Sequence, residues 1–286
     1  MHPVKILTGG LTAICLPIFL LNTANANELD QRTAAAHKDD SPVASPMATT
    51  APAVTVSSRP AVYMTVDGKE VVGWLSWPAG ASFEGLPALI VIHEWWGLND
   101  NIRQTAERLA AEGYITLAVD LYRGESGEAP KEAMRLMTAL NEDAEGGLNN
   151  LVAAYEYLET VMGASKIGVI GWCLGGRWSL QAALRMPEQI DAMVMYYGGV
   201  TDDKAQLATL QMPMLGLFAD EDPVVPPDTV VAFRDALNEL GKDAEIIIYP
   251  DTKHAFANPS GMAYNAVAAE DAWLKATAFL FEHLQK

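Results

Sequence analysis

The sequence is poor in cysteine. Its 286 residues contain two, Cys15 and Cys173. Cys15 lies in a segment read below as removed on export. The mature chain would keep one thiol, which excludes an intramolecular disulfide and leaves a single Cys in need of another reason. Positive charge is also scarce. Lys and Arg number 19 against 36 Asp and Glu, a formal net charge of −17. Such a surface argues against nucleic acid and anionic membrane as partners. No apolar run is comfortably long enough to span a bilayer, because Ile6 to Leu21 is too short. His93-Glu94 could open a zinc motif, but the second His of H-E-x-x-H is missing, since Gly97 follows Trp96. Gly168 and Gly171 lack the G-x-G spacing of a dinucleotide site. Neither metal nor cofactor is expected, and there is no internal repeat.

Half the residues are hydrophobic and 19% are charged, which suits one packed domain. Residues 1–26 read as a bacterial signal peptide. Lys5 is the positive start, the apolar run follows, and Ala24-Asn25-Ala26 is a small-residue cleavage pattern. The mature protein is expected in the periplasm or secreted. Residues 27–60 are rich in Ala, Ser, Thr and Pro without periodicity, and read as a disordered tether. The folded domain is expected over residues 61–286.

Within it, Val62 to Val66 and Val71 to Trp77 alternate like strands around an Asp67-Gly68-Lys69 turn. Ala88 to His93 is a continuous apolar run, the mark of a central strand. Asn99 or Asp100 caps a helix that Gly113 ends. Further strands at Thr116 to Val119, Ile167 to Ile170, Ala192 to Tyr197, Met214 to Phe218 and Glu245 to Tyr249 alternate with helical stretches. That alternation predicts an α/β fold, a mostly parallel sheet with helices on both faces.

The chemistry centres on Gly171-Trp172-Cys173-Leu174-Gly175, between a strand and a helix. This is the nucleophile-elbow pattern with Cys for Ser. The sharp turn strains the nucleophile's backbone, and glycines beside it avoid a Cβ clash. The helix N-terminus favours a thiolate or an oxyanion. A Cys nucleophile needs a base, and the base an orienting acid. His254 is the candidate base, in the loop after the Glu245 strand. Asp220, Glu221 and Asp222 follow the Met214 strand; Asp222 is the preferred acid and Asp220 the second choice. The order nucleophile, acid, base is that of α/β-hydrolases. The oxyanion hole is assigned to the N–H groups of Leu174 and Trp95. Trp96, Tyr122, Arg123 and Trp172 are candidate pocket residues.

With His93-Glu94-Trp95-Trp96-Gly97-Leu98-Asn99, Asp120-Leu121-Tyr122, the elbow, Asp222 to Pro226 and His254-Ala255-Phe256 in place, the sequence resembles the dienelactone hydrolase family. The resemblance implies an α/β-hydrolase fold, a Cys-His-Asp triad, and hydrolysis of esters and lactones without a cofactor. It implies that Glu94 hydrogen-bonds near the resting thiol and helps control thiolate formation. Family members that cleave dienelactone bind the substrate carboxylate with arginines, one shortly after the catalytic His. Here Asn258 stands at that place, with Arg123 and Arg135 as possible substitutes.

The expectation is an exported, monomeric hydrolase of a small ester or lactone. A thioesterase or acyl transferase with the same triad, and a non-catalytic periplasmic ligand-binding protein, are the alternatives. Mass spectrometry of the protein from its native host should find an N-terminus at Asn27; an intact Met1 in the mature pool would contradict export.

Overall fold

The computed structural model describes residues 23–40, 42 and 54–286. The expected leader up to residue 22, and residue 41 and residues 43–53 of the expected tether, lie outside the described residues. The first described element is helix α1 (Thr23–Ala36). An antiparallel hairpin follows, β1 (Val56–Val66) and β2 (Lys69–Pro78), closed by Asp67 and Gly68 at φ 50 and 76. Both positive φ values suit the Asp-Gly pair of a hairpin turn.

From β3 (Ala88–Ile92) the chain alternates: α2 (Asp100–Ala111), β4 (Ile115–Ala118), α3 (Pro130–Glu142), α4 (Ala144–Glu156), β5 (Ile167–Trp172), α5 (Leu174–Arg185), β6 (Ala192–Tyr196). A short α6 (Lys204–Leu207), β7 (Met214–Ala219), α7 (Pro227–Glu239), β8 (Ala244–Tyr249) and α8 (Ala266–Leu280) complete it. The eight strands form one sheet in the order β1-β2-β4-β3-β5-β6-β7-β8. Only the β1–β2 and β2–β4 pairs are antiparallel. This is the α/β-hydrolase fold.

The period of two along each strand divides the core. On β3, Ala88, Ile90 and Ile92 join one apolar cluster with side chains of α3, α4, α5 and α7, while Leu89 and Val91 join the other with α2 and α8. Both faces are therefore covered, which is why β3, β5, β6 and β7 are buried along their whole length. The sheet's carboxyl edge is left for loops.

Composition suggested a structureless stretch over residues 27–60, and the described part of it differs. Val56 to Pro60 extend β1, pairing with Pro78 to Trp74. This is an edge strand, where polar residues and a Pro are tolerated, so it leaves little hydrophobic signal. Helix α1 is equally polar. It is anchored by the Asp30–Arg177 ion pair (3.6 Å, both side chains buried) and by Asn141, which donates to Asp30 and accepts from Arg177 Nη2 at 2.7 Å. Thr33 and His37 are buried on the same side.

A buried pair contributes little net stability, but removing one partner costs about 3–5 kcal/mol. Burial raises the Asp30 carboxyl's pKa and lowers that of Arg177, consistent with that cost. Asp30→Ala is expected to release α1 without unfolding the domain. Trypsin cleavage after the half-buried Arg32 and the exposed Lys38 should then quicken by roughly 100-fold, with the denaturant midpoint of the domain unchanged. An unchanged cleavage rate would show that the pair does not hold the segment.

Candidate active site

Strand β5 ends at Trp172, and Cys173 turns the chain with φ 53 and ψ −113 before α5 begins. This is strained backbone for a residue with a Cβ. The turn is held because Cys173 N–H donates to Tyr196 O (3.0 Å) and Cys173 O accepts from Arg177 N–H (3.1 Å). Glycines permit the crowding. A Cβ on Gly171 would stand 2.3 Å from Gly175 O, and one on Gly175 would stand 2.2 Å from Ile92 O. Cys173 itself is buried, and burial raises its pKa, with Glu94 adding to the rise and His37 opposing it.

His254 arrives from the loop after β8. Its Nδ1–H donates to Asp222 Oδ2 at 2.7 Å, with both side chains buried. Asp222 Oδ1 accepts from the N–H groups of Val224 and Val225 at 2.7 and 2.9 Å, which fixes the carboxylate. The neighbouring acids do other work. Asp220 Oδ1 accepts from Thr252 N–H at 3.1 Å, and Glu221 N–H donates to Thr252 O at 2.9 Å, tying the two loops together. The Leu174 N–H hydrogen-bonds the Cys173 side chain.

A third side chain reaches the thiol, and no sequence pattern pointed to it. His37 follows α1 and shares a cluster with Cys173 and His254 in which the nitrogen and sulfur atoms all lie within 4.8 Å of one another. Its Nδ1 bonds Asp40 Oδ2 at 2.7 Å, repeating the His254–Asp222 pairing. Burial alone would lower its pKa; Asp40 and the adjacent Cys173 raise it to about 9. The rings of Trp95 and His254 stand 5.5 and 5.4 Å from the His37 ring. Leu29, Asp30 and Thr33 of α1 close with Cys173, Arg177 and His254 around a cavity of about 10 Å³.

The sequence profile of the dienelactone hydrolase family matches residues 73–284. The chain belongs to this family. It is 32% identical to a protein of Saccharolobus solfataricus provisionally named a carboxymethylenebutenolidase, over 77% of this chain and 96% of that one. A similarly named Escherichia coli protein is 32% identical, over 81% and 90%. Among solved structures, a provisional dienelactone hydrolase from Klebsiella pneumoniae superposes with a TM-score of 0.70 at 27% identity, over 79% of this chain and 98% of that one. A dienelactone hydrolase-like promiscuous phosphotriesterase from metagenomic libraries gives 0.72 at 25% identity, over 80% and 98%. This dienelactone hydrolase family member is thus a hydrolase of ester bonds.

The other expected site residues divide. Glu94 Oε2 accepts from Asn258 Nδ2 at 2.5 Å, so the residue at the family's arginine place holds the carboxylate near the thiol. Burial raises the Glu94 pKa. Trp96 packs on Trp95 at 4.7 Å. Tyr122 is buried and donates to Trp95 O at 3.0 Å, shaping the loop from behind. Trp172 is stacked on Tyr196 at 5.2 Å, within the core. Arg123 pairs with Asp143 at 2.8 Å and lines a separate groove of about 360 Å³; Arg135 pairs with the exposed Glu125. Neither lines the cavity at Cys173. The cationic side chain that does is Arg177, one turn beyond the nucleophile, which the sequence reading missed. Its position in the elbow helix was the available signal.

His93 shapes the same loop. Its Nδ1–H donates to Glu94 O at 2.6 Å, and its Nε2 accepts from Leu121 N–H at 3.2 Å. Complete burial lowers its pKa to about 4 from the ordinary 6.5. The unfolded chain therefore takes up this proton first. The stabilisation is present above pH 6.5 and is lost as pH falls towards 4, by on the order of 3 kcal/mol. Denaturant titrations across that window should show wild type losing stability faster than His93→Gln. Parallel curves would remove His93 from the acid response.

Proposed function

We propose that the protein hydrolyses a small ester or lactone through an acyl-enzyme on Cys173, with His254 and Asp222 completing the triad. The observation that carries this reading is the buried His254–Asp222 pair beside a thiol on a strained strand-to-helix turn. Family membership and the names of the relatives support the substrate class. His254 Nε2 accepts the thiol proton, and sulfur attacks the carbonyl carbon. The developing oxyanion is met by the N–H groups of Leu174 and Trp95, a donor of this kind contributing about 10²–10³ in rate. His254 then protonates the leaving alcohol. Next it takes a proton from water, whose attack releases the acid and regenerates the thiol. The cavity left by α1 is too small for any ester, so segment 27–40 lifts to admit substrate.

The same proposal places the protein outside the cytoplasm, on Lys5, the apolar run and Ala24-Asn25-Ala26. Cleavage after Ala26 would trim the first turn of α1 and keep Leu29, Asp30, Thr33 and His37.

With a short activated ester, Cys173→Ala should abolish turnover, and Cys173→Ser should be slow, because a hydroxyl needs stronger base assistance. Asp222→Asn should lower kcat by up to about four orders of magnitude, as in the serine-protease precedent. Asp220→Asn should stay near wild type. A crippled Asp220→Asn beside an active Asp222→Asn would reassign the acid; an active Cys173→Ala would end the proposal.

A further inference from the structure

We propose that Cys173, His37 and His254 form a binding site for one Zn²⁺ ion, assembled when the N-terminal segment closes over the thiol. The three donor atoms are buried and lie within 4.8 Å of one another. Each imidazole is turned by a carboxylate, His37 by Asp40 and His254 by Asp222, both at 2.7 Å through Nδ1. That leaves Nε2 as the inward atom on each ring. Both are buried; His37 Nε2 faces the Cys173 thiol, its hydrogen-bond partner, whereas His254 Nε2 has no partner among the described residues. An unsatisfied buried polar atom costs about 1–3 kcal/mol. The thiol meets His37 and leaves His254 Nε2 unmet. A cation satisfies both, together with the sulfur.

The donor chemistry selects the ion. A thiolate with two imidazoles suits Zn²⁺ and excludes Mg²⁺ or Ca²⁺, which take oxygen. Carboxylate-oriented imidazoles are the usual support of such sites. With Zn–S about 2.3 Å and Zn–N about 2.0–2.1 Å, the donors would stand roughly 3.5 Å apart, an inward shift of at most about 1 Å. The adjoining cavity of about 10 Å³ is the size of one water, which supplies a fourth ligand. Binding displaces the protons on the thiol and on His37 Nε2 to solvent. The bound ion occupies both the sulfur and His254 Nε2, so the loaded form would be silent in ester hydrolysis. That consequence rests on the function proposed above; the site does not.

The test uses the full chain, freed of metal with a chelator and titrated with Co²⁺, then with competing Zn²⁺. Wild type should bind one Co²⁺ with a thiolate-to-cobalt charge-transfer band, and Cys173→Ala should lose the band. His37→Gln should weaken binding at least ~100-fold, and Asp40→Asn about 10–100-fold. Circular dichroism checks that both variants stay folded. A wild-type spectrum without the sulfur band, or equal affinity in His37→Gln, overturns the site. Ester turnover of the metal-free chain is scored separately: turnover without the band overturns the metal site alone, whereas the band without turnover supports it and overturns the hydrolytic reading alone.

Discussion

Everything at this site depends on one backbone constraint, the reversal at Cys173. A residue with a Cβ is held at φ 53 because the strand before it and the helix after it are both packed into the core. Such strain costs about 1–3 kcal/mol, and the surrounding structure must over-determine it. The close approach of the α5 backbone to β3, which only glycine at 175 permits, is part of that clamp. The turn puts the thiol at the carboxyl edge of the sheet, where the loops after β3, β7 and β8 also arrive. A parallel sheet collects its loops there, so Cys173, Asp222 and His254 meet although 32 residues separate Asp222 from His254.

The N-terminal segment follows a different logic. It has few apolar residues, and its docking rests on polar contacts: Asp30 with Arg177 and Asn141, His37 with Asp40, and Asp40 with Met262 N–H. Polar docking of this kind is specific in geometry and modest in net energy. A segment held so can close a site completely and still open. Its departure would hydrate Arg177 and Asp30, which lowers the cost of release.

Much of the fold was legible because its signals are local. Continuous apolar runs marked the buried strands, Asn99 capped α2 by accepting from Ile102 N–H, and Asp67-Gly68 made the hairpin turn. The carboxylate bonded to His254 was legible only as a preference for Asp222 over Asp220, and the separation of Arg123 from the cavity was not legible. Asp220, Glu221 and Asp222 are adjacent, and only the packing of two loops decides which one turns inward. Arg123 and Arg135 lie near family motifs in sequence, but each is drawn to a nearby acid, Asp143 and Glu125.

By itself, the sequence determined the layered α/β order, the family, and the residue types at the elbow and in the loop after β8. Periodicity, glycine sterics and capping act over a few residues and are written locally. Only the tertiary structure brought His37 and Asp40 to the thiol, set Arg177 against Asp30, and gave Asn258 the Glu94 carboxylate. Those contacts join segments more than a hundred residues apart, with no pattern in either partner. They exist because the sheet fixes where the chain's distant loops and its N-terminal helix must meet.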